Sequence, residues 1–372
     1  MNILLIPNAF KGTLTSKEII DILGNQIATR EGNYKVTSFP FSDGGDGLLD
    51  SFKSLFPDEY VIHKIYVNSP EFKIKREVSY LGIGEQAIVE SAEVIGLAKT
   101  QILDPGINTS YPLGEVINDA IGKGYKKIIV GVGGTCTNDY GAGMLSKLGM
   151  KFFNYKNEEF IPVGYTLHQV ERIDFQDFKK NIDNIEFTIL SDVDNKLLGQ
   201  NGCTYVYAKQ KGATKENLLT LENNMAHLND IFRVTFNSDF SQLISSGSGG
   251  GIGGAFLGLM KAKLESGSEF FLNNFKVQNL LLNADVIITG EGKVDTQTLE
   301  GKGVMSIAYL GGKYLSKKVI VIGGRIDESV KPILKDNGVS SFVEIEKENL
   351  SLEELRLVCK DHLLRAFSKI KF

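Results

Sequence analysis

From Ala284 to Gly303 the chain reads Ala-Asp-Val-Ile-Ile-Thr-Gly-Glu-Gly-Lys-Val-Asp-Thr-Gln-Thr-Leu-Glu-Gly-Lys-Gly. A short run rich in β-branched residues predicts a buried parallel strand. Gly290 and Gly292 are expected to end it. A dense polar segment follows, with Lys293, Asp295, Thr296, Thr298, Glu300 and Lys302 close together. Acids there could take a proton or hold a cation, and lysines could bind an anion. Open α/β sheets bind ligands beyond the carboxyl ends of their strands, where this segment falls. So long a polar loop is costly to order without a ligand.

Other loops carry similar chemistry. Pro7 to Ser16 follows a first apolar run and holds Lys11 near a helix start, where an anion is favoured. Ser42 to Gly47 sets Asp43 and Asp46 among glycines. These acids suit a divalent cation or proton transfer, or else only complement a helix macrodipole, and spacing does not choose. Gly131 to Met144 has the strand–glycine loop–helix layout that binds phosphate through backbone N–H groups, but it is neither GxxxxGK[ST] nor GxGxxG. Ser191 to Cys203 begins with Asp192 and Asp194, which read equally as magnesium–phosphate ligands or as an acidic turn in water. Lys209 to Gly212 reads as a solvated basic turn. Ser245 to Gly254 leads into an apolar segment and is expected to be a buried phosphate loop or a close helix approach rather than a linker.

These elements must be positioned by alternating strands and helices. The expected order is strand Asn2–Ile6, helix Glu18–Thr29, strand Tyr34–Phe39 and helix Leu48–Leu55. Alternating segments at Val61–Val67 and Phe72–Val78 then read as half-exposed antiparallel strands. Buried strands are expected at Lys126–Val130 and Glu186–Leu190, a short strand at Tyr205–Ala208, and helices at Lys215–Phe232 and Ala255–Leu264. Strands at Lys318–Ile322 and Ser341–Ile345 and a helix at Leu352–Ile370 close the chain. The fold class is α/β. Residues 1–58 and 284–372 form a discontinuous Rossmann-like domain, interrupted by a larger inserted α/β domain of residues 59–283. The active site is expected in the cleft between them.

Composition narrows the classes. A net charge of -4 argues against a nucleic-acid partner, which would need a basic face. No apolar run is long enough for a membrane span, and no signal peptide is evident, so the cytoplasm is the expected compartment. Three cysteines, far apart and without a CxxC pattern, exclude a disulfide framework and a zinc site. The four histidines lack ligand spacing. The 40 glycines cluster after expected strands, which suggests loops converging on one polyanion.

Seven segments occur in one order: PNAFKGTLT from Pro7, SDGGDG from Ser42, GTCTNDYGAGM from Gly134, SDVDNKLLG from Ser191, QKGA from Gln210, GSGGGIGGA from Gly247 and TGEGKVDTQTLEGK from Thr289. Together they resemble the bacterial glycerate kinase family, over essentially the whole chain. The resemblance implies ATP-dependent phosphorylation of D-glycerate with Mg²⁺, usually to the 2-phosphate, and a two-domain α/β fold. Asn8 stands where that family generally has Asp, Asp46 for a more usual Glu, and Tyr140 for a usual Gly.

On that resemblance, Lys11, Lys293 and Lys302 serve phosphate or carboxylate charge, and Arg325 can grip a carboxylate in bidentate fashion. Asp43 or Asp295 is the expected base, and Asp192 and Asp194 the expected Mg²⁺ ligands. Gly133, Gly134, Thr135, Gly249, Gly250 and Gly251 are assigned to the nucleotide, with Asn138 and Ser110 on the substrate side. Two other classes were weighed. A nicotinamide-dependent oxidoreductase of a small hydroxy acid lacks its fingerprint, and a sugar-acid sensor would not need paired acids. A homodimer is compatible with the sequence but not specified by it.

Overall fold

The computed structural model describes residues 1–10, 12–69, 74–300, 303–345, 350 and 352–370. Lys11 and Lys302 therefore lie outside the described residues. The chain forms two compact units, Met1–Pro57 with Ser266–Phe372, and Asp58–Glu265.

Strands are numbered along the chain. The terminal unit holds β1 (Asn2–Leu5) and β2 (Lys35–Ser38). The inserted unit holds β3 (Tyr60–Ser69), β4 (Ile74–Ile83), β5 (Gln86–Glu90), β6 (Lys127–Gly131), β7 (Lys151–Phe153), β8 (Glu159–Phe160), β9 (Arg172–Asp174), β10 (Glu186–Leu190) and β11 (Lys263–Glu265). The terminal unit resumes with β12 (Val286–Val294), β13 (Lys318–Ile326) and β14 (Val339–Glu344).

The terminal unit is built on a parallel sheet in the order β14-β13-β12-β1-β2. Ile3, Leu4, Leu5, Ile287 and Ile288 are wholly buried, as strands covered on both faces require. The first crossover is the helix Ser16–Ala28. Its N-cap Thr15 accepts from the Glu18 N–H, while Glu18 accepts from the Thr15 N–H at 2.8 Å, a reciprocal capping box. From β1 the chain moves outward to β2, whereas β12, β13 and β14 step the other way. The loops after β1 and β12 thus lie at the point where strand order reverses, the place such sheets bind ligands.

Two expectations fail here. Gly290 and Gly292 do not end the strand. β12 runs through both to Val294, with Gly290 beside Ile322 and Lys293 beside Arg325 on β13. A Cβ on Gly290 would stand 1.8 Å from the Ile322 carbonyl oxygen, so this glycine permits close strand contact. The second unit boundary falls at 265/266 rather than 283/284. Phe271 explains it, packing its ring on Phe39, Phe41 and Phe52 at centroid distances of 5.8, 6.3 and 5.5 Å.

The inserted unit carries a six-stranded sheet in the order β11-β10-β6-β5-β4-β3. β3 and β4 are antiparallel, as their alternation predicts; β4 pairs antiparallel with β5, and β5, β6, β10 and β11 are parallel. A three-stranded sheet, β8-β7-β9, is separate. Residues 203–207 are a short helix rather than a strand. The expected helix over 255–264 is only one wide turn, Ala255–Leu259, before β11. Among the described residues no helix is long and apolar enough to cross a membrane.

Gly290→Ala should destabilise the terminal unit by about 1–3 kcal/mol, since the added methyl overpacks two strands. Gly122→Ala is its counterpart, at a helix end where a Cβ meets nothing within 4 Å. It should be neutral or stabilising by up to about 1 kcal/mol. Urea unfolding of both variants checks the contrast.

Candidate active site

In the terminal unit, polar groups gather beyond the sheet's carboxyl edge. The Asn8 N–H donates to the Gly290 carbonyl at 2.8 Å, and Thr289 Oγ1 donates to the Ile6 carbonyl at 2.9 Å, fixing the β1 loop against β12. Lys293 Nζ lies 2.7 Å from Asp295 Oδ2. The Gln297 N–H donates to Asp295 Oδ1 at 3.0 Å, and the Asp295 N–H to Thr298 Oγ1 at 3.0 Å. Thr298 Oγ1 in turn donates to Glu291 Oε1 at 2.7 Å. Arg325, exposed, is the cross-strand neighbour of Lys293. Two cations and two acids are therefore brought onto adjacent strand ends, with Lys293 70% exposed and Asp295 only 17%. Asp43, half-buried, sits in the turn before the helix Leu48–Leu55, where its Oδ1 accepts from the Gly45 N–H at 3.1 Å.

The inserted unit assembles a second set of loops. Beyond β6, Gly133 and Gly134 are partly exposed, and Gly134 adopts a φ of +73°. Among the described residues, no acceptor takes the N–H of Gly133, Gly134 or Thr135. Such N–H groups suit an anion. The Gly249–Gly251 segment behaves differently. All three glycines have positive φ, and a Cβ on Gly250 would lie 2.0 Å from the Thr137 carbonyl oxygen. One on Gly251 would lie 2.8 Å from the Tyr140 Cα. The Tyr140 N–H donates to the Gly250 carbonyl at 3.2 Å. This loop's lack of side chains thus serves its packing beneath the Gly133–Tyr140 loop. The Ser245 N–H also donates to the Asp194 carbonyl at 3.4 Å, and the Gly247 N–H to the Asn195 carbonyl at 2.9 Å. The loops after β6 and β10 and the glycine segment accordingly meet in one place.

Ser110 and Asn138 are wholly buried. Ser110 donates to Asp139 Oδ2 through both its N–H and its hydroxyl, each at 2.7 Å, and its Oγ accepts from the Met144 N–H at 2.9 Å. The geometry gives Ser110 an internal task, orienting Asp139. Burial pushes the Asp139 carboxyl above its ordinary pKa, while donors from Ser110, Gly141 and Gly143 pull it back. Asn138 Nδ2 donates to Thr204 Oγ1 at 3.3 Å, and its Oδ1 has no partner among the described residues.

Lys211, expected in a solvated turn, is 3% exposed. Its ammonium donates to the Thr137 carbonyl at 2.8 Å and to Thr135 Oγ1 at 3.3 Å. The sequence by itself assigns no role to Lys211, Asp139 or Glu291. The signal available for them was their place inside the ordered motifs, not their spacing. Tyr140 adopts a φ of +56° yet is wholly buried, with its hydroxyl donating to Asn229 Oδ1 at 2.9 Å and its ring edge-on to Phe232. That packing holds a conformation that ordinarily favours glycine.

Asp192 is half-buried and Asp194 exposed. Among the described residues, no group of three or more His, Cys, Asp or Glu could hold a metal by itself. Mg²⁺ does not require one, because one or two carboxylates with phosphate oxygens and water suffice.

A parallel sheet with charged groups at its switch point in one unit, and a mixed sheet with a glycine loop whose N–H groups lack a protein acceptor among the described residues in the other, fit an α/β enzyme of small anionic ligands. Residues 3–371 match the model of the Glycerate kinase family, to which the chain belongs. It is 30% identical to a glycerate kinase of Bacillus cereus, over 98% of this chain and 95% of the other. It is 27% identical to the glycerate 2-kinase of Escherichia coli, over 100% and 97% of the two chains. A crystal structure described as a glycerate kinase 2 from Salmonella typhimurium LT2 superposes with a TM-score of 0.72 at 26% identity, covering 99% of this chain and 96% of that one. Membership makes the chain an ATP-dependent kinase, and sets aside the hydride-transfer and sensor readings.

Tyr140→Phe should destabilise the inserted unit by about 1–3 kcal/mol, because it strands the buried Asn229 oxygen. Thermal unfolding followed by circular dichroism measures the loss.

Proposed function

We propose that this chain transfers the γ-phosphoryl group of ATP to the 2-hydroxyl of D-glycerate, giving 2-phosphoglycerate. The observation that carries this reading is the Lys293–Asp295 pair beside Arg325 at adjacent strand ends, in a chain of this family. The 2-position follows the name of the relative in Escherichia coli, aligned along the full length.

Phosphoryl transfer needs positioning and charge more than covalent chemistry. Arg325 and Lys293 bind the glycerate carboxylate, Arg325 by its planar fork and Lys293 as a point charge. Asp295, held by Lys293 and the Gln297 N–H, accepts the hydroxyl proton. Asp43, whose Oδ1 accepts from the Gly45 N–H, is the other candidate base. The N–H groups of Gly133, Gly134 and Thr135 receive nucleotide phosphate. Gly249, Gly250 and Gly251 support that loop from beneath, as Ser110 and Asn138 do from within. Lys11 and Lys302 join the phosphate charge as the family motifs suggest. The donor chemistry of Asp192 and Asp194 fits Mg²⁺, which would neutralise charge on the phosphates when bound.

ATP consumption with D-glycerate and Mg²⁺, followed by phosphorus NMR, tests the reading. ADP should form only with glycerate, and the phosphorus should couple to a single carbon-bound proton. Coupling to a methylene would reassign the product as the 3-phosphate, and no ADP would refute the substrate. Asp295→Asn should lower kcat by about 10²–10⁴-fold, whereas Arg325→Ala should chiefly raise the KM for glycerate. A drop confined to Asp43→Asn would move the base there.

A further inference from the structure

Lys211 is a cation almost wholly removed from water. Its two hydrogen-bond partners, Thr135 Oγ1 and the Thr137 carbonyl, are neutral oxygens. Among the described residues no carboxylate lies within ion-pairing distance of it. Burial pulls its pKa down, while Cys203, Cys136 and Asp139 work the other way. Burial also pushes the Cys203 thiol up to about 12. Burying an ammonium this way is unfavourable and needs a structural or functional return.

The return is visible in what the two bonds hold. Thr135 and Thr137 directly follow Gly133 and Gly134 in the bend, and the N–H groups of Gly133, Gly134 and Thr135 find no acceptor among the described residues. The bend's far side is tied by the Leu97 N–H to the Gly134 carbonyl at 3.1 Å, and by the Cys136 N–H to the Ile95 carbonyl at 2.8 Å. Lys211 ties its near side. The lysine is itself delivered by Gly212, whose φ of +101° ends the turn, and where a Cβ would lie 1.8 Å from the Leu103 carbonyl oxygen. Within the bend the Cys136 carbonyl accepts from Asn108 Nδ2 at 3.5 Å and Thr137 Oγ1 donates to the Gly249 carbonyl at 3.5 Å, while Asn138 Oδ1 has no partner among the described residues.

We propose that Lys211 is a positioning residue of the kinase reaction, holding the Thr135–Thr137 bend so that the N–H groups of Gly133, Gly134 and Thr135 face the nucleotide phosphates. The inference rests on the kinase reading above and names a residue that reading does not use.

The test is Lys211→Met, which keeps the stem and removes the charge and donors. Folding is checked by circular dichroism and melting temperature. The expected result is a KM for ATP raised about tenfold or more, with the KM for glycerate within about twofold of wild type. Inorganic tripolyphosphate binding, measured by calorimetry, should weaken in parallel. A melting temperature that falls while both KM values stay put overturns the proposal, as does an equal rise in both. If Lys211→Met does not fold, Thr135→Val, which removes only the hydroxyl acceptor, decides. A selective rise in the KM for ATP supports the proposal, and unchanged constants refute it. If the wild-type chain does not phosphorylate glycerate, the glycerate reading has failed. Tripolyphosphate binding by the two proteins still judges Lys211 alone: weaker binding to the variant upholds its role, and equal binding ends it.

Discussion

The parallel pairing of β1 with β12 is the contact on which the rest depends. It sets Ile3 beside Val286, Leu4 beside Ile287 and Leu5 beside Ile288, joining chain segments 283 residues apart. Closing so long a loop is tolerable because its entropy grows only logarithmically with length. The six side chains are almost wholly buried, which supplies the opposing hydrophobic term. The pairing also creates the switch point. β1 sends the chain one way and β12 the other, so the loops carrying Asn8 and Asp295 emerge side by side.

Glycine plays two physical parts here. At Gly133 and Gly134 it leaves backbone N–H groups without a protein acceptor among the described residues. At Gly249 to Gly251 and at Gly290 it lets two stretches of backbone come closer than any Cβ would allow. Both parts look alike in a sequence, as clusters after apolar runs. Only the neighbouring backbone tells them apart, and it comes from positions more than a hundred residues away, or from the next strand.

Charge divides in the same manner. The Lys293–Asp295 pair is local and sits where strand and loop meet, so its two partners stand out in the sequence. Lys211 has its partners 74 and 76 residues earlier. A basic turn of Lys-Gln-Lys-Gly reads as solvated because nearly all such turns are. Its burial follows from how the turn is pressed against Leu103, a contact without a local signature. Tyr140 is similar: its φ favours glycine, and only Phe232 and Asn229 on a distant helix explain an aromatic there.

The sequence by itself determined the alternation of strands and helices, the antiparallel character of β3 and β4, the interruption of one unit by another and the family. These depend on hydrophobic period, capping chemistry such as Thr15 with Glu18, and ordered motifs, all of which are local or read in order along the chain. The tertiary structure decided where β12 ends, that residues 266–283 belong with the terminal unit, that residues 203–207 are helical, and that Lys211 and Ser110 are buried. Each of those outcomes turns on which distant surface a segment meets, and burial against a partner outweighs the few tenths of a kcal/mol by which local propensities differ.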